Sequence, residues 1–465
     1  MNENLFFVDY YEYTVGEVNQ DFNYNPIVTQ SYFYRKCPYS KFIIPVGQHR
    51  FIEHIERLND GTLTEQNIAW LRKKSKGGLS EEFLEHLYNF KFKGEITAVP
   101  TGLPMFPNEP IVNVTDTLID TQILETYLLH DMNTMSPVAT KAARIKYAIG
   151  PRSLAEFGAR RSANPMMTAE AAFIGGAGAT SLVEASRVYG MDFFGTMSHA
   201  YVQSRWDGVM SFSDSELLAY RQYAKRHPDN SIFLVDTYDT IQGTKNAIIV
   251  ALEMRAAGHE LVGIRLDSGD MAALSQICRV LLDVVGFPNV KIFLSDGIDD
   301  LKAWRLITSG ADVDGFGCGT NLVHPPPLGG VYKLVQIGDI HYMKFTDNPA
   351  KRTLPGRRQV YRKYSKRGFA MMDLQALWDE DVPEEYVPLH KTIWDKNGAV
   401  EFPDIVTMQK QTLQGMATLS SLDKAIYEPK TKLGTPYCVL LSPELTRVRD
   451  ELVGRYMSEY GKEEK

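Results

Sequence analysis

The sequence has few cysteines and no apolar run long enough to cross a bilayer. Cys37, Cys278, Cys318 and Cys438 lie far apart without a CxxC pair, which favours neither a structural zinc site nor a secreted disulfide framework. Runs such as AIIVALEM are too short to span a membrane. The opening MNENLFFVDYYEY lacks the basic and apolar regions of a signal peptide. We therefore expect a cytoplasmic protein with reduced thiols and no membrane association.

An excess of basic charge is also missing. The chain carries 50 basic against 57 acidic side chains, a net charge of −7, which argues against nucleic acid as the main partner. GGAGATS, from Gly175, is glycine-rich but lacks the lysine of a Walker loop. With 465 residues, 44% of them hydrophobic and 23% charged, the composition is that of a globular protein with a sizeable core.

The pattern of apolar residues divides the chain into three parts. Residues 1–120 mix strand and helix signals and predict the amino-terminal part of an open α+β sandwich domain. Residues 121–325 alternate short apolar runs with helical segments. Residues 326–465 contain hairpins interrupted by proline and glycine, and we expect them to return to the sandwich domain.

The middle part contains five apolar runs that each end in a polar cluster. The runs are DFFGTMSHA, IFLVDTYDT, LVGIRLDSGD, KIFLSDGID and VDGFGCGT. Their clusters lie 21 to 37 residues apart, close to the roughly 30 residues per unit of a β/α barrel. A doubly wound open sheet could give the same spacing. Because chemically capable residues follow every run, we favour an irregular, TIM-like α/β barrel with the active site at its carboxyl face.

His199 is the one histidine of ten that falls in a strand-end cluster. A histidine there can act as acid, base or phosphoryl acceptor, although a core or capping histidine is the common alternative. Asp236 ends the next predicted strand and could accept an N–H from the His199 ring. Turn capping explains an aspartate in VDTYDT equally well.

In GIRLDSGD, strand alternation places Arg265 and Asp267 on one face and Ile264 and Leu266 on the other. An arginine pointing into a site suits a planar carboxylate, and an aspartate there can accept hydrogen bonds from sugar hydroxyls or hold a metal-bound water. A buried Arg/Asp pair is the structural alternative.

Two segments suit phosphate groups. The glycines of DGFGCGTN could bring backbone N–H groups near a phosphate after a late barrel strand, although a glycine pattern alone is a weak signal. EFGARRS places Arg160 and Arg161 beside Phe157, a grouping that suits a phosphorylated substrate with an aromatic ring.

Nine motifs in order over nearly the whole chain resemble those of the nicotinate phosphoribosyltransferases. They are VDYYEYT, FYRKCP, EFGARRS, GTMSH, LVDTYDT, GIRLDSGD, FGCGT, GGVYKL and TLPGRRQVYR. The resemblance implies an irregular α/β barrel joined to an open sandwich. It also implies condensation of nicotinate with phosphoribosyl pyrophosphate to nicotinate mononucleotide and pyrophosphate, coupled to ATP hydrolysis, in NAD salvage.

The resemblance implies roles for residues already singled out. His199 matches a histidine that ATP phosphorylates transiently, and Asp236 matches the aspartate that orients it. Arg265 matches the arginine that faces the pyridine carboxylate, and Asp267 matches a residue that contacts the ribose.

Further residues are assigned to the two substrates on the same basis. Phe157 and Tyr11 match an aromatic pair that sandwiches the pyridine ring, with the tyrosine supplied by the second subunit of a homodimer. Ser181 aligns with an aspartate of nicotinamide-specific relatives, so a neutral residue favours the acid. The residues expected at the phosphate groups of phosphoribosyl pyrophosphate are Arg160, Arg161, Gly297, Gly317, Gly319 and Thr320.

The implied chemistry requires Mg²⁺ with phosphoribosyl pyrophosphate and ATP, and ATP as a co-substrate. No direct protein ligand of the metal is predicted. Three alternatives remain open: a nicotinamide phosphoribosyltransferase, a non-catalytic ligand-binding barrel, and an unrelated phosphosugar enzyme on the same barrel.

Overall fold

The computed structural model describes residues 5–61, 63–346, 348, 351–426 and 435–460. Their contacts separate two compact units. The first unit comprises the described residues of 1–140, 326–425 and 431–465, and the second comprises those of 141–325 and 426–430.

The strands and helices are numbered in chain order. The strands are β1 (Ile27–Tyr34), β2 (Glu95–Ala98), β3 (Pro110–Thr117), β4 (Ser153–Glu156), β5 (Ala179–Thr180), β6 (Asp192–Phe193), β7 (Ile232–Leu234), β8 (Gly263–Leu266), β9 (Lys291–Leu294), β10 (Gly315–Cys318), β11 (Gly330–Ile337), β12 (Ile340–His341), β13 (Arg358–Tyr364), β14 (Ala370–Leu377), β15 (Tyr386–Pro388), β16 (Lys391–Asp395), β17 (Gly398–Ala399) and β18 (Val439–Leu441). The helices are α1 (Tyr10–Asp21), α2 (Gln48–Asn59), α3 (Glu65–Ser75), α4 (Glu81–Tyr88), α5 (Leu118–Ile123), α6 (Glu125–Ile149), α7 (Pro165–Ile174), α8 (Val183–Tyr189), α9 (His199–Gln203), α10 (Phe212–Arg226), α11 (Thr240–Ala256), α12 (Met271–Val284), α13 (Asp300–Thr308), α14 (Thr320–Val323), α15 (Ile405–Thr418), α16 (Ser421–Lys424) and α17 (Pro443–Tyr460).

The first unit contains two sheets. The larger has the order β12-β11-β1-β3-β2-β16-β17, with antiparallel pairing throughout. The smaller has the order β15-β13-β14-β18, in which β18 runs parallel to β14. The larger sheet combines strands from residues 1–120 with strands from residues 326–465, whereas the smaller sheet contains strands from residues 326–465 alone.

Packing of amphipathic helices against the larger sheet forms the core of the first unit. Helix α2 buries Phe51, Ile52, Ile55 and Leu58, whose spacing places them on one helical face. Tyr34 of β1 joins the same core, and its hydroxyl lies 2.6 Å from Ser136 Oγ of α6. A buried tyrosine of this kind gains apolar contact while its polar atom remains hydrogen-bonded.

The second unit contains a seven-stranded parallel sheet in the order β6-β5-β4-β10-β9-β8-β7. The last strand, β10, pairs with the first, β4, as closure of a barrel requires. Within residues 141–325, all of which are described, β6 and β7 are the two edges, so the sheet curls without closing fully. This confirms the predicted fold class, with one open seam between β6 and β7.

Aspartates that follow the strands of this unit divide into two groups. Asp239, Asp270 and Asp299 are helix N-caps. The side chain of each accepts a hydrogen bond from the backbone N–H three positions later in the chain, at 2.7–3.2 Å. Asp236 and Asp267 cap no helix. Capping by aspartate thus accounts for part of three of the five polar clusters and leaves Asp236 and Asp267 for other roles.

Among the residues placed by the structure, no helix is long and apolar enough to cross a membrane.

His390, in the first unit, should make stability depend on pH. The ring is buried, with Nδ1 2.9 Å from Gln359 Oε1, and burial lowers its pKa to about 3, with Arg358 and Arg357 adding repulsion. The folded chain holds His390 neutral, whereas the unfolded chain binds a proton below about pH 6.5. Stability should therefore fall by a few kcal/mol, at most, as pH drops from about 6.5 toward 3.

Chemical denaturation of the wild type and His390→Gln at pH 7 and pH 4 measures this effect. The wild type should lose more stability on acidification than the variant. Parallel pH dependences in the two proteins would assign the acid sensitivity to other groups.

Candidate active site

The candidate site is a cavity of about 620 Å³ within the second unit, at the carboxyl ends of its parallel strands. This is the edge at which parallel α/β folds carry their functional loops. The cavity is lined by all but two of the residues predicted from the sequence: Phe157, Arg160, Arg161, Ser181, His199, Arg265, Asp267, Gly297, Gly317, Gly319 and Thr320. Asp236 and Tyr11 are the exceptions.

His199 is the first residue of α9, six positions after β6 ends rather than directly at a strand end. Its Nδ1 lies 3.1 Å from Thr237 Oγ1, and its Nε2 lies 3.8 Å from Asp267 Oδ2. When Nδ1–H donates to Thr237, the Nε2 lone pair is free to act as an acceptor or nucleophile. Thr237 gave no signal in the sequence beyond its position beside Asp236.

The expected hydrogen bond between Asp236 and the His199 ring is not formed in this structure. Asp236 Oδ2 instead accepts from the backbone N–H of Asp267 at 3.0 Å and from Ser268 Oγ at 2.5 Å. Asp236 and Asp267 follow the neighbouring strands β7 and β8, so the Asp236 carboxylate reaches the loop after β8 more easily than the helix that carries His199. Asp236 therefore fixes the loop of Asp267, while Thr237 contacts the histidine.

Arg265 and Asp267 both line the cavity. Ile264 and Leu266, which alternate with them along the chain, are buried in the sheet. Arg265 Nη1 donates to Thr196 Oγ1 at 2.6 Å, while its buried Nε has no partner. Burial lowers the pKa of Arg265, and Asp267 and Asp236 oppose that shift. A guanidinium stays charged in this setting and has donors left for an incoming anion.

Asp267 is held from a neighbouring strand end. Ser295 Oγ, directly after β9, donates to Asp267 Oδ1 at 2.7 Å. The other oxygen, Oδ2, faces His199 Nε2. Ser295 also lines the cavity, and the sequence marked it only as part of SDGID.

Arginines and loop backbone line the part of the cavity suited to phosphate. Arg160 is exposed, and Arg161 Nη1 donates to Thr320 Oγ1 at 2.7 Å. Asp296 and Gly297 both have positive φ, 76° and 60°, so the backbone turns sharply after β9. For a non-glycine residue such as Asp296 this conformation is uncommon, and it is found disproportionately at functional sites.

Gly317 has a different position from the predicted one. It lies within β10, paired with Ala155 of β4, and not in the loop that follows. A Cβ at this position would collide with the Phe157 ring. Gly317 therefore makes room for the aromatic wall, and the loop that could meet a phosphate begins at Gly319.

The aromatic wall pairs Phe157 with Phe194. Their ring centroids are 5.8 Å apart with planes 15° from parallel. Phe194 lines the cavity and was missed by sequence reasoning because DFFGTMSH was interpreted as an ordinary strand run. Stacked rings of this kind offer a flat surface to a planar ligand.

Glu156, at the end of β4, was also missed. It is fully buried, and its carboxylate accepts from Gly158 N–H, from Ala159 N–H at 2.6 Å and from Thr180 Oγ1 at 2.8 Å. Burial raises its pKa, and these hydrogen bonds oppose the shift. Glu156 thus ties the loop of Phe157 and Arg160 to the neighbouring strand β5.

The two remaining predicted residues, Ser181 and Tyr11, lie in different units of the structure. Ser181 directly follows β5, is exposed at the cavity, and its backbone N–H donates to Glu156 O at 2.8 Å. Tyr11 belongs to the first unit, on α1, and is 45% exposed. Partial burial, together with Glu125, raises the pKa of its hydroxyl. Its predicted contact with the pyridine ring stays a prediction.

The cavity has oxygen ligands for a metal but no complete set. Over the described ranges, no three His, Cys, Asp or Glu side chains form a group that could hold a metal ion. Asp267 and Asp296 present carboxylates to the cavity. Mg²⁺ in proteins is bound through one or two carboxylates together with substrate phosphates, so these residues fit a Mg²⁺ ion that arrives with a phosphorylated substrate.

These features define an α/β-barrel enzyme site for a small, planar, anionic substrate together with a phosphorylated one. The arginines, the loop backbone and the aromatic wall each supply one part of that description.

The chain belongs to the nicotinate phosphoribosyltransferase family. A nicotinate phosphoribosyltransferase pncB2 of Mycobacterium tuberculosis is 35% identical over 364 residues, covering 77% of this chain and 75% of that protein. The nicotinate phosphoribosyltransferase of Bacillus subtilis is 37% identical over 379 residues, covering 78% and 74%. The model of the nicotinate phosphoribosyltransferase (NAPRTase) N-terminal domain matches residues 6–133. The family resemblance found in the sequence is thereby confirmed.

A solved structure agrees with the fold. The crystal structure of human nicotinic acid phosphoribosyltransferase superimposes with a TM-score of 0.81 at 24% identity, covering 96% of this chain and 99% of that one. At this identity the likeness speaks for the fold alone.

Proposed function

We propose that this protein is a nicotinate phosphoribosyltransferase of NAD salvage. It forms nicotinate mononucleotide and pyrophosphate from nicotinate and phosphoribosyl pyrophosphate, coupled to ATP hydrolysis through phosphorylation of His199. The observation that carries the proposal is the single cavity in which Arg265, Asp267, His199 and the phosphate-suited loops meet. Family membership, with relatives named for this activity at 35% and 37% identity, supports it.

The chemistry needs positioning more than it needs a protein nucleophile. The pyridine nitrogen attacks the anomeric carbon, the bond from that carbon to the pyrophosphate oxygen breaks, and the nitrogen becomes a pyridinium. Arg265 would hold the nicotinate carboxylate, and the wall of Phe157 and Phe194 would set the plane of the ring. Asp267, oriented by Ser295, would place a negative charge near the developing ribosyl cation.

Asp267 and Asp296 would hold a Mg²⁺ ion that accompanies the phosphorylated substrates, and the ion would supply charge neutralisation for the leaving pyrophosphate. Arg160, Arg161 and the backbone after Gly319 would bind phosphate oxygens.

His199 would accept the γ-phosphoryl group of ATP at Nε2, the ring atom that Thr237 leaves free. The bond from the γ-phosphorus to the bridging oxygen breaks, and ADP leaves. The phosphorylated ring would carry new negative charge toward the substrate cavity, which links ATP hydrolysis to product formation.

The first experiment measures nicotinate mononucleotide formed from nicotinate, phosphoribosyl pyrophosphate and Mg²⁺, with and without ATP. Wild type should be accelerated by ATP, whereas His199→Ala should show no acceleration and no acid-labile phosphate after incubation with labelled ATP. A matched control is His227→Ala, because His227 is the C-cap residue that follows α10 and does not line the cavity.

Each result has a distinct meaning. Product formation that ignores ATP in the wild type would retain the transferase and remove the coupling. Absence of product from a folded protein would contradict the proposed reaction and favour the nicotinamide or binding-barrel alternatives.

Ser181→Asp tests the choice of acid over amide. An added carboxylate at the cavity would repel nicotinate but not nicotinamide. We expect the ratio of kcat/KM for nicotinate to that for nicotinamide to fall by about tenfold or more, with Ser181→Asn as the neutral control. An unchanged ratio would remove Ser181 from the specificity argument.

The proposal includes a cytoplasmic homodimer, with Tyr11 of one subunit completing the pyridine site of its partner. Tyr11 is exposed on α1 and so accessible to another chain. Mixing Tyr11→Ala with His199→Ala should restore ATP-accelerated product formation through hybrid dimers if sites are shared in this way.

A further inference from the structure

The first unit contains a cavity of about 820 Å³ that the proposed reaction does not use. It is lined by residues of β1 and α17 and of the segment that leads into β13. None of its lining residues belongs to the candidate active site.

Arg358, the first residue of β13, is the unusual feature of this cavity. Its side chain is among the largest fully buried ones, with 1% exposure. Nη1 donates to the neutral Gln375 Oε1 at 2.6 Å, and the buried Nε has no partner. Among the described residues no carboxylate forms an ion pair with it. Buried arginines are normally paired with an anion, because water no longer solvates the charge.

Arg362, on the same strand, is a buried arginine that is paired with a carboxylate. Its guanidinium binds Asp373 through two hydrogen bonds, 2.8 Å and 2.7 Å long. Both side chains are completely buried. Arg358 is equally buried but opens onto a cavity and not onto a carboxylate. Burial lowers its pKa to about 10, with no opposing contribution from a neighbouring anion.

The charge around Arg358 is positive on balance. Arg352 and Arg449 also line the cavity, and Asp450 is the one acidic residue of the lining. Asp450 is 59% exposed and pairs with its neighbour Arg449, 2.6 Å away. The lining therefore holds three cationic side chains against one carboxylate, and this balance attracts an anion.

The rest of the wall is mostly apolar, with Asn108 and Thr353 as its uncharged polar residues. Phe33, Met343 and Val453 contribute hydrophobic side chains to the lining. A volume of this size exceeds that of a free phosphate ion and lies in the range of small-molecule sites, which combine apolar walls with a few placed charges.

We propose that this cavity is a second ligand site, and that it binds an organic phosphate: a phosphomonoester group on the three arginines with an apolar or aromatic body against Phe33 and Met343. Arginine binds phosphate oxygens through two parallel N–H donors, which suits a buried guanidinium with unused donors. The ligand would supply the anion that Arg358 lacks in the protein itself.

Isothermal titration of the full chain with phenyl phosphate, and with inorganic phosphate as the headgroup alone, tests the proposal. We expect phenyl phosphate to bind at least tenfold more tightly than inorganic phosphate, because only phenyl phosphate also covers the apolar wall. Phenol, which lacks the charge, should not bind measurably.

Three variants locate the binding event. Arg449→Gln should weaken it about tenfold. Gly454→Phe should abolish it, since a Cβ at Gly454 meets no atom within 4 Å and a ring there would fill the cavity. Arg358→Met should also abolish it, yet should not lower the Tm, because it removes an uncompensated buried charge.

Two controls separate this site from the active site. Arg447→Gln, on the same helix, removes an exposed arginine that pairs with Glu444 and Glu451 outside the lining. Arg161→Gln weakens phosphate binding in the other cavity. Both should retain the phenyl phosphate site. Binding that survives Gly454→Phe and Arg449→Gln, or that disappears in Arg161→Gln, would overturn the proposal without touching the proposed transferase activity.

Discussion

Replacement of Arg265 by glutamine is expected to lower kcat/KM for nicotinate by roughly 30- to 3,000-fold. The arginine is largely buried at the cavity, its Nε is unused, and Thr196 fixes its other edge. Loss of one partner of a buried charged hydrogen-bonded pair costs about 2–5 kcal/mol, and each 1.4 kcal/mol is a factor of ten. Steady-state kinetics with both pyridine substrates measures the effect.

Nicotinamide provides the internal control for this prediction. It carries no carboxylate, so its kcat/KM should change much less than that of nicotinate in Arg265→Gln. Arg221→Gln is a matched variant of the same unit, because Arg221 forms an exposed pair with Glu253 away from the cavity. Equal losses for both substrates would mean that Arg265 supports the structure and does not recognise the carboxylate.

Replacement of Arg362 by methionine is expected to destabilise the first unit by about 3–5 kcal/mol. Asp373 accepts two hydrogen bonds from Arg362 and a third from Tyr437 Oη at 3.2 Å. Burial raises the pKa of nearby Glu109 well above its ordinary value, with repulsion from Asp373 adding to the shift. Without Arg362 the two carboxyl groups would share a buried space with no cation.

Denaturation by guanidinium chloride, followed by circular dichroism, measures this loss as a shift of the midpoint. Lys363→Met changes the next residue of the same strand. The pair of Lys363 with Glu385 is 3.4 Å long and partly exposed, so its loss should cost less than about 1 kcal/mol. Similar losses in the two variants would show that the buried pair adds nothing beyond an ordinary surface contact.

The sequence predicted the composition of the candidate site well, for a simple geometric reason. Parallel strands end at one edge, so polar residues that follow successive strands must come together there. His199, Arg265, Asp267, Gly297 and Thr320 meet in one cavity although up to 121 positions separate them along the chain. Their catalytic and binding roles remain predictions.

The sequence predicted the contacts within that site less well. Asp236 binds the loop of Asp267, and Thr237 contacts His199, although both residues share one short segment. Adjacent side chains point in different directions and so contact different neighbours. No pattern in LVDTYDT indicates whether Asp236 or Thr237 is the residue that contacts His199. Phe194 and Glu156 were missed because their partners come from other strands.

The sequence by itself determined the alternation of strands and helices, the fold class and the family, because apolar periodicity and ordered motifs are properties of the chain alone. It also determined that Arg265 and Asp267 share a face. Only the tertiary structure decided which atoms pair: Gly317 against Phe157, Ser295 on Asp267, and Arg358 left without a carboxylate while Arg362 has one. Burial and pairing depend on residues distant in sequence, and a local pattern carries no information about the partner that folding supplies.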